Sequence, residues 1–168
     1  MNTNFSPAEI QAYLAPIYAG HTLRVIPYAY AISFASLAQG ATAQGLVNVA
    51  ANADFLLLGV NHHANIGAAQ TTGSKTAPFV RMLVTDSGSN EQFTNAAVDL
   101  ENYSTNGIGI QNLPYPRIVS GRSSLTVQVT NYAPTAETYQ LDILFSGALI
   151  RVYSSSGVMV DPSTVRAV

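Results

Sequence analysis

Two stretches in the second half of the chain alternate strictly between apolar and polar positions. Leu125, Val127 and Val129 alternate with Thr126, Gln128 and Thr130, and Tyr139, Leu141, Ile143 and Phe145 alternate with Gln140, Asp142 and Leu144. A period of two sustained in this way marks half-buried strands. Asn131 to Glu137 forms the turn between them, Pro114 and Pro116 bound the approach, and Gly147 reads as a kink before Leu149 to Tyr153. Each strand has an apolar face that needs a second sheet or a partner to cover it, which places the pair in a β-sandwich or barrel. Their polar faces carry Thr, Gln and Ser rather than acids, bases and nucleophiles arranged for chemistry.

Upstream the pattern is shorter and more often interrupted. Ser6-Pro7-Ala8-Glu9 places a hydroxyl at N-cap, proline at N1 and a carboxylate at N3, a capping box that opens a helix. Ile10 and Leu14 share one face of it with Tyr13 alongside, and Pro16 stops it after about two turns. A helix this short must dock, either on its own domain or as an arm on a neighbouring subunit. His21 to Phe34 is extended and rich in aromatics, with a helix over Tyr30 to Leu37 as the alternative. Gln39 to Gln44 reads as a loop, Leu46 to Val49 as a strand, Asn52-Ala53-Asp54 as a turn and Phe55 to Val60 as a continuously apolar buried strand. Asn61 to Lys75 reads as a long polar loop. Phe79 to Thr85 is a strand, Asp86 to Asn90 a turn cluster, and Ala96 to Leu100 and Ile108 to Ile110 short strand candidates.

Strands at this spacing, with one short helix, predict an all-β fold: an antiparallel β-sandwich of jelly-roll type. The expected organisation is an N-terminal arm with a short helix over 1–20, the sandwich domain over 21–153 and an extended C-terminal tail over 154–168.

Composition narrows the partners. Charged residues make up 10% of the 168 positions, the net charge is −2 and Lys75 is the single lysine beside six arginines. No basic field exists to hold a nucleic-acid backbone, so no nucleic-acid partner is expected. No stretch reaches the ~20 apolar residues of a membrane span, the start of the chain lacks the pattern of a secretory signal, and no membrane partner is expected. Cysteine is absent, which removes disulfides and thiolate metal sites. A surface so poor in charge lacks the repulsion that keeps monomers apart, and part of it is expected to be covered in an assembly.

Candidate chemistry is sparse. His62-His63 is the most tempting metal pair, but neighbouring strand residues point to opposite faces and the third histidine, His21, stands apart. Asp86, Glu91, Asp99 and Glu101 would suit calcium only if folded together; surface acids are the simpler reading. Ser120-Gly121-Arg122-Ser123 lacks the elbow pattern of a catalytic serine, and no phosphate-loop, zincin or dinucleotide motif occurs. The nine tyrosines would serve a sugar-stacking platform or packing equally well. No catalytic residue, no cofactor and no metal site are expected.

Leu46-Val47-Asn48-Val49 through Asn52-Ala53-Asp54-Phe55-Leu56-Leu57-Leu58 forms an ordered set with Pro114-Tyr115-Pro116-Arg117, Leu125 to Asn131 and Phe145-Ser146-Gly147. In these pieces the chain resembles small structural proteins of tailed-phage virions, the capsid decoration or cement proteins and their accessory relatives. The resemblance spans about Leu46 to Tyr153 and carries no functional residue with it. It implies a non-enzymatic sandwich, usually oligomeric, that is assembled in the host cytoplasm and seated in the virion on a shell of major capsid protein. A homo-oligomer, a trimer first, is therefore expected, with Phe5, Ile10, Tyr13, Leu14, Tyr18, Tyr28 and Tyr30 as contact residues. A neck, head-to-tail or tail accessory subunit is the nearest alternative, and a carbohydrate-binding jelly-roll module is the alternative from another class.

Overall fold

The computed structural model of the chain describes residues 5–67, 72–104 and 111–166. Strands hold 54% and helices 12% of it, in two antiparallel sheets. The first sheet runs β1 (Thr22–Leu37), β9 (Tyr139–Tyr153), β3 (Asp54–Ile66), β7 (Gln111–Val119), with β10 (Met159–Val160) added to β9. The second runs β2 (Thr42–Asn48), β8 (Ser124–Asn131), β4 (Val80–Asp86), and β4 also carries the two-residue strands β5 (Glu91–Gln92) and β6 (Val98–Asp99). Successive long strands alternate between the sheets, so the chain crosses the core at nearly every connection.

The two strongly patterned strands do not pair with each other. β8 lies in one sheet and β9 in the other, and Leu125, Val127 and Val129 share a single inter-sheet core with Tyr139, Leu141, Ile143 and Phe145. Each is part of the other's cover. Asn131 makes the crossing by satisfying backbone groups that the turn would otherwise strand. Its side-chain N–H groups donate to the carbonyls of Leu37 at 3.0 Å and Glu137 at 2.8 Å, and its oxygen accepts from the Ala133 N–H at 2.9 Å.

Several boundaries differ from the sequence reading. β3 does not end at Val60 but continues its ladder with β9 through Asn61 to Ile66, so the expected loop begins six residues later. β2 begins at Thr42, inside the expected Gln39 to Gln44 loop, where Ala43 and Gly45 carry too little apolar bulk to announce it. Gly45 leaves room for Ile32, whose Cδ1 would stand 2.4 Å from a Cβ there and would have to shift. The stretch from Tyr30 to Leu37 is strand, not helix. Of Ala96 to Leu100 only Val98–Asp99 pairs, and Leu100 opens the one-turn helix α2 (Leu100–Tyr103). Ile108 to Ile110 lie outside the described residues. The C-terminal segment is not simply extended, since it adds β10 to β9 and then forms a short helix, Pro162–Val165.

The predicted N-terminal helix, α1 (Pro7–Leu14), carries the full capping box, with Ser6 and Glu9 each bonded to the other's backbone N–H. It docks on its own domain, against the outer face of the first sheet. That face holds a second apolar cluster in which Leu14, Tyr18, Leu56, Ile150 and Val152 are buried.

Gly147 is the point of closest backbone approach, beside the bulge at Leu58 where the registers of β3 with both β7 and β9 shift. A Cβ on Gly147 would sit 1.9 Å from the Leu56 carbonyl oxygen. Because the obstacle is backbone, Gly147→Ala is expected to cost about 3 kcal/mol or more, the upper end of overpacking effects. Chemical denaturation of the variant against the parent chain measures it.

Candidate interaction surface

The outer face of the first sheet is only half covered. Over its first half, α1 and the C-terminal turn sit on Leu23, Val25, Leu56, Leu58 and Ile118. A single buried carboxylate ties these covers down. Asp54, wholly buried at the start of β3, accepts from the Tyr18 hydroxyl at 2.6 Å and from the Gly121 N–H at 2.8 Å. Arg166 approaches the same carboxylate at 3.6 Å and donates to Ser120 Oγ at 3.0 Å. Burial, and then the bond to Asp54, push the Tyr18 hydroxyl well above the ordinary tyrosine range. Its proton therefore stays in place as a donor.

This arrangement divides the seven expected contact residues. Leu14 and Tyr18 are fully buried in the chain's own second cluster, and Ile10 packs partly buried against it. Their docking is intramolecular. Tyr13 is exposed and donates through its hydroxyl to the Pro116 carbonyl at 3.2 Å, while Phe5 is half-buried. Tyr30 packs edge-on against Phe55 and accepts the Ala50 N–H at 2.9 Å. Tyr28 stacks edge-on against Tyr30 and is 46% exposed. Of the seven, Tyr13 and Tyr28 keep an exposed ring.

Beyond Pro27, which still borders a cavity with Pro7, Ile10 and Gln11 of α1, no described element covers the outer face of β1. Ala29, Ala31 and Ser33 on β1 stand beside Ser146, Leu144 and Asp142 on β9, all partly or fully exposed. The sandwich's edges differ sharply. β7 carries Pro114 and Pro116, and β5 and β6 are two residues each. On that side Arg117 of β7 bridges the sheets, paired with Glu91 at 2.8 Å and lying over the Phe93 ring at 4.4 Å. On the other side β1 offers sixteen residues whose one charge is Arg24, and among the described residues no strand pairs with its far edge.

The remaining candidates are structural in place. His62 and His63 lie on β3, not in a loop, and strand geometry sends their side chains to opposite faces. His62 is buried with Nδ1 2.6 Å from Ser104 Oγ, while half-exposed His63 stands opposite Asp142 of β9. Asp86 accepts from the Gly88 N–H and the Ser89 hydroxyl, Glu91 pairs with Arg117, and Asp99 pairs with Arg81, so these acids do not converge. Ser120 to Ser123 form a tight turn in which the Ser123 hydroxyl donates to the Ser120 carbonyl and Arg122 takes a positive φ of 65°. Two features were missed in the sequence: the Asp54 cluster, whose members lie far apart in the chain, and the bare β1 edge. A buried acid opening an apolar run, Asp54-Phe55-Leu56-Leu57-Leu58, was the one available signal for the first.

No family model, no curated protein and no solved structure matches this chain.

Replacing Asp54 strands three donors at once, so Asp54→Ala is expected to lose about 3–5 kcal/mol. Tyr18→Phe, which removes one hydrogen bond, is expected to lose about 1 kcal/mol. Urea unfolding of both variants checks the order. Burial pushes the His62 imidazole down to about 4, with the neighbouring His63 acting in the same sense. Between the unfolded value near 6.5 and that folded value, the unfolded chain binds a proton that the folded chain refuses. Stability present above pH ~6.5 is therefore expected to fall, by on the order of 3 kcal/mol, as pH drops towards 4. The fall should be flatter in His62→Gln, measured by denaturant midpoints across that range.

Proposed function

We propose that the chain is a virion structural protein of jelly-roll type. It acts as a decoration or cement protein that binds the assembled shell of a tailed phage as a homo-oligomer. The observation that carries this reading is the strand order. β1-β9-β3-β7 facing β2-β8-β4-β5, with the long strands alternating between sheets, supports that reading, because two interleaved Greek keys would give such an order. This architecture serves viral capsid and lectin domains. The sequence pieces that resemble decoration proteins fall on β2, β3, β7, β8 and β9, the frame of that fold. Both ends of the described chain are tied to the sandwich, and the charge-poor surface suits a broad neutral contact rather than a steered one.

The mechanism is mass action. A protein that binds only the assembled shell stabilises it by its own binding free energy, without a catalytic residue or cofactor. The partner is the major capsid protein, and the location is the virion surface.

One observation favours a second reading. Tyr115, 83% exposed between Pro114 and Pro116, borders a shallow cavity of about 250 Å³ with Phe93, Tyr103 and Arg117. An exposed ring of this kind can stack on a sugar, as in a lectin-type module.

The full-length chain is expected to co-sediment with mature capsid shells, with affinity nearly unchanged between about 50 and 500 mM salt, because few charges carry the contact. Binding to isolated tails instead of shells would shift the assignment to a neck or tail subunit. Failure to bind either, with retention on a glycan column that Tyr115→Ala abolishes, would establish the sugar-binding module.

A further inference from the structure

We propose that the open edge of β1 is a strand-pairing surface for the same edge of a second copy, joining two first sheets across a two-fold axis at Ala31. Sheet edges expose rows of unpaired N–H and C=O groups, and natural proteins blunt them with prolines, charges or very short strands. This chain does so on its β7 side, as described above. β1 is long, with Arg24 as its one charge, and it carries a single proline.

That proline fixes the geometry. The register of β1 with β9 is continuous from Thr22 to Phe34, straight through Pro27. A proline fits a paired strand without disturbing it where its missing N–H faces away from the neighbour. In an antiparallel ladder one residue turns both its backbone groups to the same side, and alternate residues face alternate sides. Ala29, Ala31 and Ser33 therefore turn their N–H and C=O groups to the open edge along with Pro27. Their side chains are small and exposed, and among the described residues no strand occupies that edge. The usable ladder is bounded by Pro27 on one side and by the register shift between Phe34 and Leu37 on the other. Its midpoint is Ala31.

Charge selects the occupant. The strand offers no charge pattern for a charged partner, and its one cation is Arg24 near the beginning. In an antiparallel pair centred on Ala31 the two Arg24 side chains lie at opposite ends, about 45 Å apart. That is several Debye lengths, so they do not repel. A strand of matching length and neutrality is at hand in every other copy of the chain. Two-fold pairing favours an even-numbered oligomer over the trimer expected from the sequence. The inference stands apart from the shell-binding role and does not rest on it.

The test uses the full chain. Sedimentation equilibrium is expected to give a dimer mass that halves on dilution, with amides of Ala29, Ala31 and Ser33 losing protection from hydrogen exchange as it does. Ala31→Lys places like charges directly opposite each other, which is destabilising across a strand pair. It is expected to yield a folded monomer with unchanged circular dichroism, as is Ala31→Glu. Mixing the two variants in equal amounts should restore the dimer mass. A wild-type monomer at high concentration would overturn the proposal, as would a trimer, or a dimer indifferent to both substitutions. Should either variant fail to fold, the concentration dependence of exchange in the parent chain decides alone: protection unchanged on dilution overturns the pairing.

Discussion

A sheet that is apolar on both faces needs two covers, and most of this structure follows from that requirement. Phe55 and Leu57 of β3 point into the sandwich, while Leu56 and Leu58 join the outer cluster with Ile150 and Val152 of β9. Leaving three or four such side chains in water would forfeit roughly 1.5–3 kcal/mol each. The second sheet covers the inner face. The outer face is covered by α1, the segment after it and the C-terminal turn, elements too short to be stable by themselves. Asp54 makes that cover specific. A buried carboxylate tolerates few arrangements, and this one is met by a hydroxyl, a backbone N–H and a guanidinium drawn from three separate segments.

Much of the fold was legible because strand burial writes itself into the sequence with period two. β8 and the first half of β9 were read nearly to the residue, since Leu125 to Val129 and Tyr139 to Phe145 alternate without interruption, whereas β9 runs on to Tyr153 through the kink expected at Gly147. The capping box was equally readable, because its chemistry lies within four residues. Reading failed where the signal was weak or distant. The extension of β3 through Asn61-His62-His63 looks like a polar loop, yet His62 is buried and finds its partner in Ser104, some forty positions away in sequence. β2 hid behind Ala43 and Gly45, and the smallness of Gly45 leaves room for Ile32 of the neighbouring sheet. The bare edge of β1 could not be read at all, for which strands lack a neighbour is settled only by topology. Of the surface itself, neutrality was legible and the division between covered and open halves was not.

The pairing of β1 with β9, from Thr22 opposite Tyr153 to Leu37 opposite Tyr139, bears on time as well as shape. On the ribosome the first sheet lacks its central strand until β9 emerges, more than a hundred residues after β1. Until then β3 lacks its neighbour on the β1 side, and β1 is bare along both edges. Chains dominated by such distant pairings fold slowly, and their incomplete forms are prone to aggregate. Synthesis therefore leaves a window in which the nascent chain depends on being kept apart from its neighbours. The window closes when β9 slots between β1 and β3.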